Sequence, residues 1–187
     1  MTSWPASPSI FEINTWVWLS DLSQKLGNRR SLGCVPAREW DVIAELSFDA
    51  VWLMGVWERS PAGIAIANRN EGLLSDFRRA LPDFRLTDNV GSPYCVRRYV
   101  VDQQLGGPHG LQVARKELAK RGMRLLLDFV PNHMAPDHPW VVEHPEYFIQ
   151  GSPDEIRNDP ASFLQVGGRS LLADAIPTSP PGRMCCN

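Results

Sequence analysis

The sequence predicts an α/β protein built around a parallel sheet. Three apolar segments rich in β-branched and aromatic residues, at 10–19, 48–56 and 123–130, are each typical of a strand. Helical periodicity separates them, at 36–46 and at 111–118. Strands that alternate with helices favour right-handed crossovers and a parallel sheet. The alternation alone leaves open whether that sheet is doubly wound or part of a barrel.

The first half of the pattern gives a strand, a loop and a helix. Apolar residues recur at alternate positions in 10–19, which predicts a strand. The polar stretch 21–35 that follows is predicted to be a loop. Pro36 suits the first turn of a helix, and Trp40 and Ile43 continue it with helical spacing.

The second half contains a long connection. The mostly apolar segment 48–56 suits a strand that is covered on both faces. The connection at 57–108 is predicted to hold a helix at 71–81 and an irregular stretch at 87–101. Connections of this length in compact domains are usually functional. Gly122 is a candidate C-cap before the third predicted strand.

Composition limits the partners. The chain has 187 residues, 43% of them hydrophobic, and a net charge of −2. No basic patch indicates a nucleic-acid partner, and no apolar run reaches the ~20 residues of a membrane span. Residues 1–10 do not resemble a signal peptide. The four cysteines, Cys34, Cys95, Cys185 and Cys186, have no metal-ligand spacing. We therefore expect reduced thiols in a cytoplasmic protein.

The strongest chemical signal is the hexapeptide DFVPNH at 128–133. In a parallel barrel, side chains at the carboxyl ends of strands line the active site. Asp128 would supply an acceptor there, and Asn132 and His133 would supply two further polar groups for a polar ligand. The alternative is that Asp128 caps a turn while His133 is a solvated loop residue.

A zinc site is a second interpretation of the histidines in this region. Its ligands would be His133, His138 and His144, with Asp137 as an optional fourth. Their spacing does not match common zinc patterns and the segment is rich in proline, so the sequence disfavours it.

The hexapeptide resembles the first conserved motif of the α-amylase superfamily, glycoside hydrolase family 13. The segment 117–133, ELAKRGMRLLLDFVPNH, is similar to the family's second helix, third strand and following loop. The tetrapeptide GSPY at 91–94 resembles part of its loop after the second strand. The resemblance covers 10–172. It implies an incomplete (β/α)8 TIM barrel, because a complete one typically needs ~250 residues.

The resemblance also implies a division of the chain. Residues 10–135 would form barrel strands 1–3, and 136–172 would begin the subdomain that the family inserts after strand 3. Residues 173–187 are unlike the family, and we expect an aberrant tail produced by a frameshift. A natural divergent tail or a fragment would be the alternative.

Residue roles follow from the same resemblance. Tyr94 would stack on the sugar in the −1 subsite, and His133 would hydrogen-bond one of its hydroxyl groups. Asp128 would sit beneath that sugar and hold the neighbouring loop by hydrogen bonds. Asn132 matches a position that ligates a structural calcium ion in many members, so calcium is a candidate ligand although no cofactor is required.

The family's catalytic carboxylates have no counterpart in the sequence. A retaining glycosidase needs two carboxyl groups ~5–5.5 Å apart, and the family takes them from strands four and five. The expected function is therefore an N-terminal part of an enzyme that acts on an α-glucan or α-glucoside, inactive alone. The alternatives are a transglycosylase or isomerase of the same fold, such as a trehalose synthase or sucrose phosphorylase type, and a non-catalytic homologue that binds a sugar or a partner.

Overall fold

A computed structural model describes residues 4–166 and 168–173. The helices are α1 Thr15–Leu26, α2 Ala37–Glu45, α3 Pro61–Ala67, α4 Glu71–Ala80, α5 Gly107–Lys120, α6 Trp140–Glu143 and α7 Pro153–Asn158. The strands are β1 Ile10–Asn14, β2 Ala50–Met54, β3 Trp57–Arg59, β4 Val96–Val101, β5 Arg124–Leu126, β6 Phe163–Val166 and β7 Arg169–Leu172. The aberrant tail predicted at 173–187 lies outside the described residues, except for Ala173.

The chain divides into two compact units, which are described separately. The described part of unit 1 comprises residues 4–58 and 100–129. Unit 2 comprises 59–99 and the described residues from 130 onward. Strands β3 and β4 form a two-stranded sheet. Among the described helices, none has both the length and the apolar character that a bilayer span requires.

Unit 1 contains a three-stranded parallel sheet in the order β1-β2-β5. Strand β2 is central and pairs in parallel with both neighbours, with Val51 opposite Phe11 on one side and Leu125 on the other. Helices α1 and α2 lie between β1 and β2 in sequence, and α5 precedes β5. The predicted α/β class and parallel sheet are confirmed.

A single apolar core holds unit 1 together. Its largest fully buried side chain is Trp40, whose ring meets Trp18 edge to face with centroids 5.0 Å apart. An aromatic pair in this geometry adds about 0.5–1.5 kcal/mol beyond the area it buries. Partly buried Leu125 of β5 packs against this core. The other buried members of the core are Ile13, Leu19, Leu22, Leu32, Ile43, Val51, Leu53, Val56, Val101, Leu105, Ala114, Leu118 and Met123.

The strand predicted at 10–19 and the loop predicted at 21–35 were partly wrong. The strand ends at Asn14, and helix α1 occupies Thr15–Leu26. The Asn14 side chain caps the helix by accepting a bond from the Val17 N–H at 3.4 Å. Burial of Leu19 and Leu22 on one face selects the helix over the alternating pattern.

The start of helix α5 packs closely on the 31–34 segment at two glycines. A Cβ on Gly110 would lie 3.2 Å from the backbone nitrogen of Gly33. Gly106, the N-cap, has a φ of 105° and passes close to Ser31. The C-cap of α5 is Arg121, so the cap predicted at Gly122 is one residue off. Gly122 follows it with a φ of 77°, and its N–H bonds the Ala119 carbonyl at 3.1 Å.

Two further predictions were wrong in extent. The strand predicted at 123–130 is confined to Arg124–Leu126, because only these residues pair with β2. The stretch 87–101, predicted to be irregular, contains strand β4 at Val96–Val101. Its β-branched residues favour a strand. The nearby Gly and Pro residues indicated an irregular segment instead, and the strand that β4 pairs with, β3, is distant in sequence.

Unit 2 consists of short elements joined by capping interactions. Helix α4 confirms the helix predicted at 71–81, and its N-cap Asn70 accepts a bond from the Leu73 N–H at 3.1 Å. Strands β6 and β7 form an antiparallel hairpin. Helix α3 begins at Ser60, whose hydroxyl accepts from the Gly63 N–H at 2.8 Å.

Candidate functional site

Asp128 in unit 1 is a buried carboxylate just beyond the end of β5. Its Oδ1 accepts a bond from the Trp52 indole N–H at 2.9 Å, and its Oδ2 accepts from the Gly55 N–H at 2.6 Å. Its backbone carbonyl accepts from the Trp57 indole N–H at 2.9 Å. Both carboxylate oxygens are thus engaged, and they tie the end of β5 to the turn after β2. This is the chemistry of a group that holds a loop in place.

The turn that Asp128 holds has a constrained backbone. Gly55 adopts a φ of 78°, a left-handed conformation that other residues seldom take. This conformation points its N–H at the carboxylate of Asp128. A charge-assisted bond to a buried carboxylate is about twice as strong as a neutral one. The backbone conformation of Gly55 and its bond to Asp128 together fix the turn after β2.

In unit 2, the structure brings Tyr94 and His133 together. His133 Nε2 lies 3.1 Å from the Tyr94 carbonyl oxygen. A carbonyl oxygen only accepts, so Nε2 carries the hydrogen and donates it. In the neutral ring this leaves Nδ1 as an acceptor, and Nδ1 has no partner among the described residues. His133 therefore presents an acceptor of fixed orientation.

The loop that carries Tyr94 is held by local hydrogen bonds. The Tyr94 N–H donates to the Ser92 hydroxyl at 3.2 Å, and the Gly91 N–H donates to the Asn89 side chain at 2.9 Å. Arg59 donates to the Gly91 carbonyl. These bonds fix the backbone on which the half-buried Tyr94 ring stands.

The segment before His133 is held in place by Tyr99, a residue that was not among the predicted site residues. The Tyr99 hydroxyl donates to the Val130 carbonyl at 3.0 Å and accepts from the Val130 N–H at 2.8 Å. One side chain thus satisfies both backbone groups of Val130. No local motif signals this pairing, because the two residues lie far apart in sequence.

Asp137 and His138 are structural residues of unit 2. Asp137 accepts from the Ser60 hydroxyl at 2.5 Å and from the Ala62 N–H at 3.3 Å, so it caps the start of α3. Arg97 Nε lies 3.7 Å from the same carboxylate. His138 Nδ1 accepts from the Trp140 N–H at 3.1 Å, and burial lowers the pKa of His138 below its ordinary value.

The candidate metal ligands do not converge. His133 bonds Tyr94, His138 bonds the backbone of Trp140, and His144 Nδ1 lies 3.1 Å from a Glu146 oxygen. The described residues contain no group of three or more His, Cys, Asp or Glu side chains arranged to hold a metal. Calcium takes 6–8 oxygen ligands, of which exposed Asn132 would supply one. Calcium stays a prediction, and no chemical step below involves it.

A cleft of about 580 Å³ opens in unit 2 beside the 131–136 segment. Its size is within the ~300–1,000 Å³ range of small-molecule sites. His133 and Asn132 supply polar groups, and aromatic and aliphatic side chains supply most of the remaining wall. The lining residues are Pro131, Asn132, His133, Met134, Ala135, Pro136, Trp140, Val141, Tyr147, Phe148, Ile149, Leu164, Leu171, Leu172 and Ala173.

The parallel sheet, with helices between its strands in sequence, defines an α/β protein. The family described as Alpha amylase, catalytic domain matches residues 37–163, which is more than half of the chain. This chain belongs to that family. The catalytic domain of its members is a (β/α)8 barrel.

Two curated relatives give the same family. An Alpha-glucosidase of Culex pipiens is 25% identical over 133 residues, which are 67% of this chain and 18% of the relative. An Oligo-1,6-glucosidase of Parageobacillus thermoglucosidasius is 29% identical over 104 residues, 55% of this chain and 14% of the relative. The chain therefore spans less than a fifth of the length of either protein.

Solved structures agree on the fold. An isomaltulose synthase mutant from Erwinia rhapontici, in complex with D-glucose, superposes with a TM-score of 0.55 and 16% identity, over 92% of this chain and 28% of that one. An alpha-amylase from Lactobacillus plantarum superposes with a TM-score of 0.51 and 18% identity, over 88% of this chain and 31% of that one. At these identities the likeness concerns the fold alone.

Proposed function

We propose that this chain supplies sugar contacts for an α-amylase-type glycosidase acting on α-glucosidic bonds. The observation that carries the proposal is the bond between His133 Nε2 and the Tyr94 carbonyl, 3.1 Å long. It joins the two residues that the family resemblance assigns to one sugar. Because the chain matches only part of its relatives, the activity of the whole enzyme is itself part of the proposal.

The two side chains offer complementary chemistry to a hexose. The flat face of the Tyr94 ring suits the apolar C–H face of a glucosyl unit. The Nδ1 atom of neutral His133 accepts a hydrogen bond from a hydroxyl group, since Nε2 is already committed to Tyr94. Tyr94 thus contacts the apolar face of the sugar, and His133 contacts one of its hydroxyl groups.

We further infer that β1, β2 and β5 are the first three strands of such a barrel, within residues 10–135. Their parallel pairing and their order support this, because a barrel places consecutive strands side by side. Residues 136–172 would then begin the subdomain inserted after the third strand. In unit 1, Asp128 would act as a positioning residue that holds the turn after β2.

We also propose that the chain does not cleave glycosides by itself. Hydrolysis with retention requires a nucleophilic carboxylate and an acid/base carboxyl group. Asp128 is the carboxylate at a strand end, and both of its oxygens already accept hydrogen bonds. An assay with an aryl α-glucoside is expected to give no turnover above the uncatalysed rate. Turnover that Asp128→Asn abolishes would contradict this.

Maltose binding to the 187-residue chain tests the proposal, with titration calorimetry as the measurement. Tyr94→Ala removes the ring but keeps the carbonyl that orients His133, and should weaken binding about tenfold. Tyr94→Phe keeps the stacking face and should bind nearly as well as the unmodified chain.

His133→Ala should weaken maltose binding about twofold to tenfold, the range of a net hydrogen bond. The matched control is His109→Ala, because His109 is exposed and is not among the residues lining the cleft. Equal affinity of the His133 and His109 variants would contradict the proposed role of His133. Failure of the unmodified chain to bind maltose would contradict the proposed function as a whole.

A further inference from the structure

Three aromatic rings of unit 2 pack against one another, and two of them line the cleft. Tyr147 stacks on His144 with centroids 4.9 Å apart and an interplanar angle of 15°. Trp140 stands nearly at right angles to Tyr147, at 79° and 5.7 Å. We call this group the aromatic corner: Trp140, His144 and Tyr147.

The corner is exposed although its rings are large and apolar. Tyr147 is 63% exposed and Trp140 is 42% exposed. The Trp140 indole N–H and the Tyr147 hydroxyl make no hydrogen bond within the described part of the chain. Exposed rings with unused polar atoms characterise binding surfaces, where one end of the side chain stays wet.

The corner is also held in place. His144 covers one face of the Tyr147 ring and is itself fixed by Glu146, whose oxygen lies 3.1 Å from its Nδ1. Trp140 packs edge to face on buried His138, which accepts from the Trp140 N–H at 3.1 Å. Both rings are therefore oriented before any ligand arrives, which lowers the entropy cost of binding.

We propose that Trp140 and Tyr147 form a second hexose-binding subsite, for another glucosyl unit of an α-glucan whose end is held at His133. The inference rests on the proposed function, because it extends the same sugar chain along one cleft. Trp140, Tyr147 and His133 all line that cleft, which holds about 580 Å³. Two rings at 79° contact a flat sugar on a face and an edge at once.

The chemistry of the corner favours a sugar over a charged ligand. A hexose carries both C–H faces, which stack on rings, and hydroxyl groups, which can pair with the Trp140 indole and the Tyr147 phenol. The ionic pair at the corner, His144 and Glu146, carries opposite charges when the histidine is protonated, so no single sign of ligand charge is selected.

The test compares methyl α-D-glucoside, which has one hexose, with maltohexaose on the 187-residue chain by titration calorimetry. Because a single hexose at His133 does not reach the second subsite, maltohexaose should bind about threefold to tenfold more tightly than the glucoside. Trp140→Ala and Tyr147→Ala should each reduce that advantage and leave the affinity for the glucoside unchanged. Trp140→Phe, which keeps a ring, should restore part of it and guards against loss through misfolding.

The control variant is Trp4→Ala, which removes an aromatic side chain that is 37% exposed and is not among the residues lining the cleft. It should bind both sugars as the unmodified chain does. Equal affinities for the two sugars in the unmodified chain would overturn the second subsite. Equal losses for both sugars in the Trp140 variant would also overturn it, since the corner would then belong to the first subsite.

A variant with both Tyr94→Ala and His133→Ala separates the two proposals. One outcome is that maltohexaose binding survives in this variant and disappears when Tyr147→Ala is added. That result would support the corner as a sugar site and contradict the assignment of Tyr94 and His133. Concentration-dependent dimers that the Trp140 and Tyr147 variants abolish, without sugar binding, would overturn the inference, because the corner would then be an interface between two copies.

Discussion

The carboxylate of Asp128 and the indole of Trp52 are joined by a 2.9 Å hydrogen bond between residues that are far apart in the chain. The bond connects the segment after β5 to the central strand β2. The second carboxylate oxygen binds the Gly55 N–H at 2.6 Å. Asp128 thus satisfies two donors at the ends of neighbouring parallel strands.

Replacement of Asp128 by alanine should destabilise the chain by about 2–4 kcal/mol, because two donors lose their acceptor in a buried setting. Asp128→Asn should cost less, since its carbonyl oxygen can still accept one of the two bonds. Urea unfolding followed by tryptophan fluorescence measures both changes. Asp83 is exposed, so Asp83→Ala is the control and should change the free energy of unfolding by less than ~0.5 kcal/mol. Equal effects at 83 and 128 would contradict this role.

The two bonds from the Tyr99 hydroxyl to Val130 predict a local effect. Tyr99→Phe removes both bonds and should cost about 1–2 kcal/mol. The Val130 amide should exchange its hydrogen faster in the variant, and hydrogen exchange followed by NMR measures this. Tyr147→Phe removes a hydroxyl that has no hydrogen bond within the described residues, and it should leave that amide unchanged. Unaltered protection of Val130 in the Tyr99 variant would show that the bonds contribute nothing.

Gly106 and Gly27 allow the stability cost of backbone strain to be compared with the added cost of close packing. Gly106 has a φ of 105°, and a Cβ there would lie 3.1 Å from the Ser31 hydroxyl oxygen and 3.4 Å from the Gly110 Cα. Gly27 has a φ of 71° but open space around it. Gly106→Ala should therefore lower the free energy of unfolding by about 2–3 kcal/mol, against about 1 kcal/mol for Gly27→Ala. Similar losses at both positions in urea unfolding would contradict the packing part of this account.

Burial of His138 predicts a stability that depends on pH. Burial lowers its pKa below the ordinary 6.5, although the Asp137 and Glu143 charges oppose the shift. The unfolded chain therefore binds the proton more readily. The contribution of His138 to the free energy of unfolding is fully present above about pH 6.5. It is lost as the pH falls through the lower pKa of His138 in the folded chain.

Thermal unfolding between about pH 7.5 and 5.5 tests this window, which lies above the ordinary pKa values of carboxyl groups. His138→Asn keeps an acceptor for the Trp140 N–H but does not titrate, so its melting temperature should fall less over that interval. His109→Asn should keep the slope of the unmodified chain. A steeper fall in the His138 variant would reverse the sign of the argument.

The sequence predicted the parallel sheet but not every boundary. The apolar run WVWL at 16–19 follows β1 directly and extends its strand-like composition, yet residues from Thr15 onward form helix α1. Burial of Leu19 and Leu22 and the cap from Asn14 decided the outcome. Tertiary burial of this kind is not visible in local periodicity. Strand β4 was missed for a similar reason, since its partner β3 is distant in the chain.

The candidate site was predictable in position more than in detail. The hexapeptide at 128–133 indicated a carboxylate near a strand end and a histidine in the following loop, and the resemblance indicated Tyr94. The hydrogen-bond partners could not be predicted, because Trp52 lies on another strand and Tyr99 on a distant one. The roles of Tyr94 and His133 toward a sugar stay predictions.

The central claim is that His133 uses Nε2 to hold the Tyr94 carbonyl and offers Nδ1 to a sugar hydroxyl. Long-range ¹H–¹⁵N NMR of the histidine rings during a maltose titration tests it most directly, because the two ring nitrogens give separate signals. The account predicts that the His133 Nδ1 signal shifts with added maltose while Nε2 stays protonated. Maltose binding that leaves both His133 signals unmoved, or protonation of Nδ1 in place of Nε2, would contradict it.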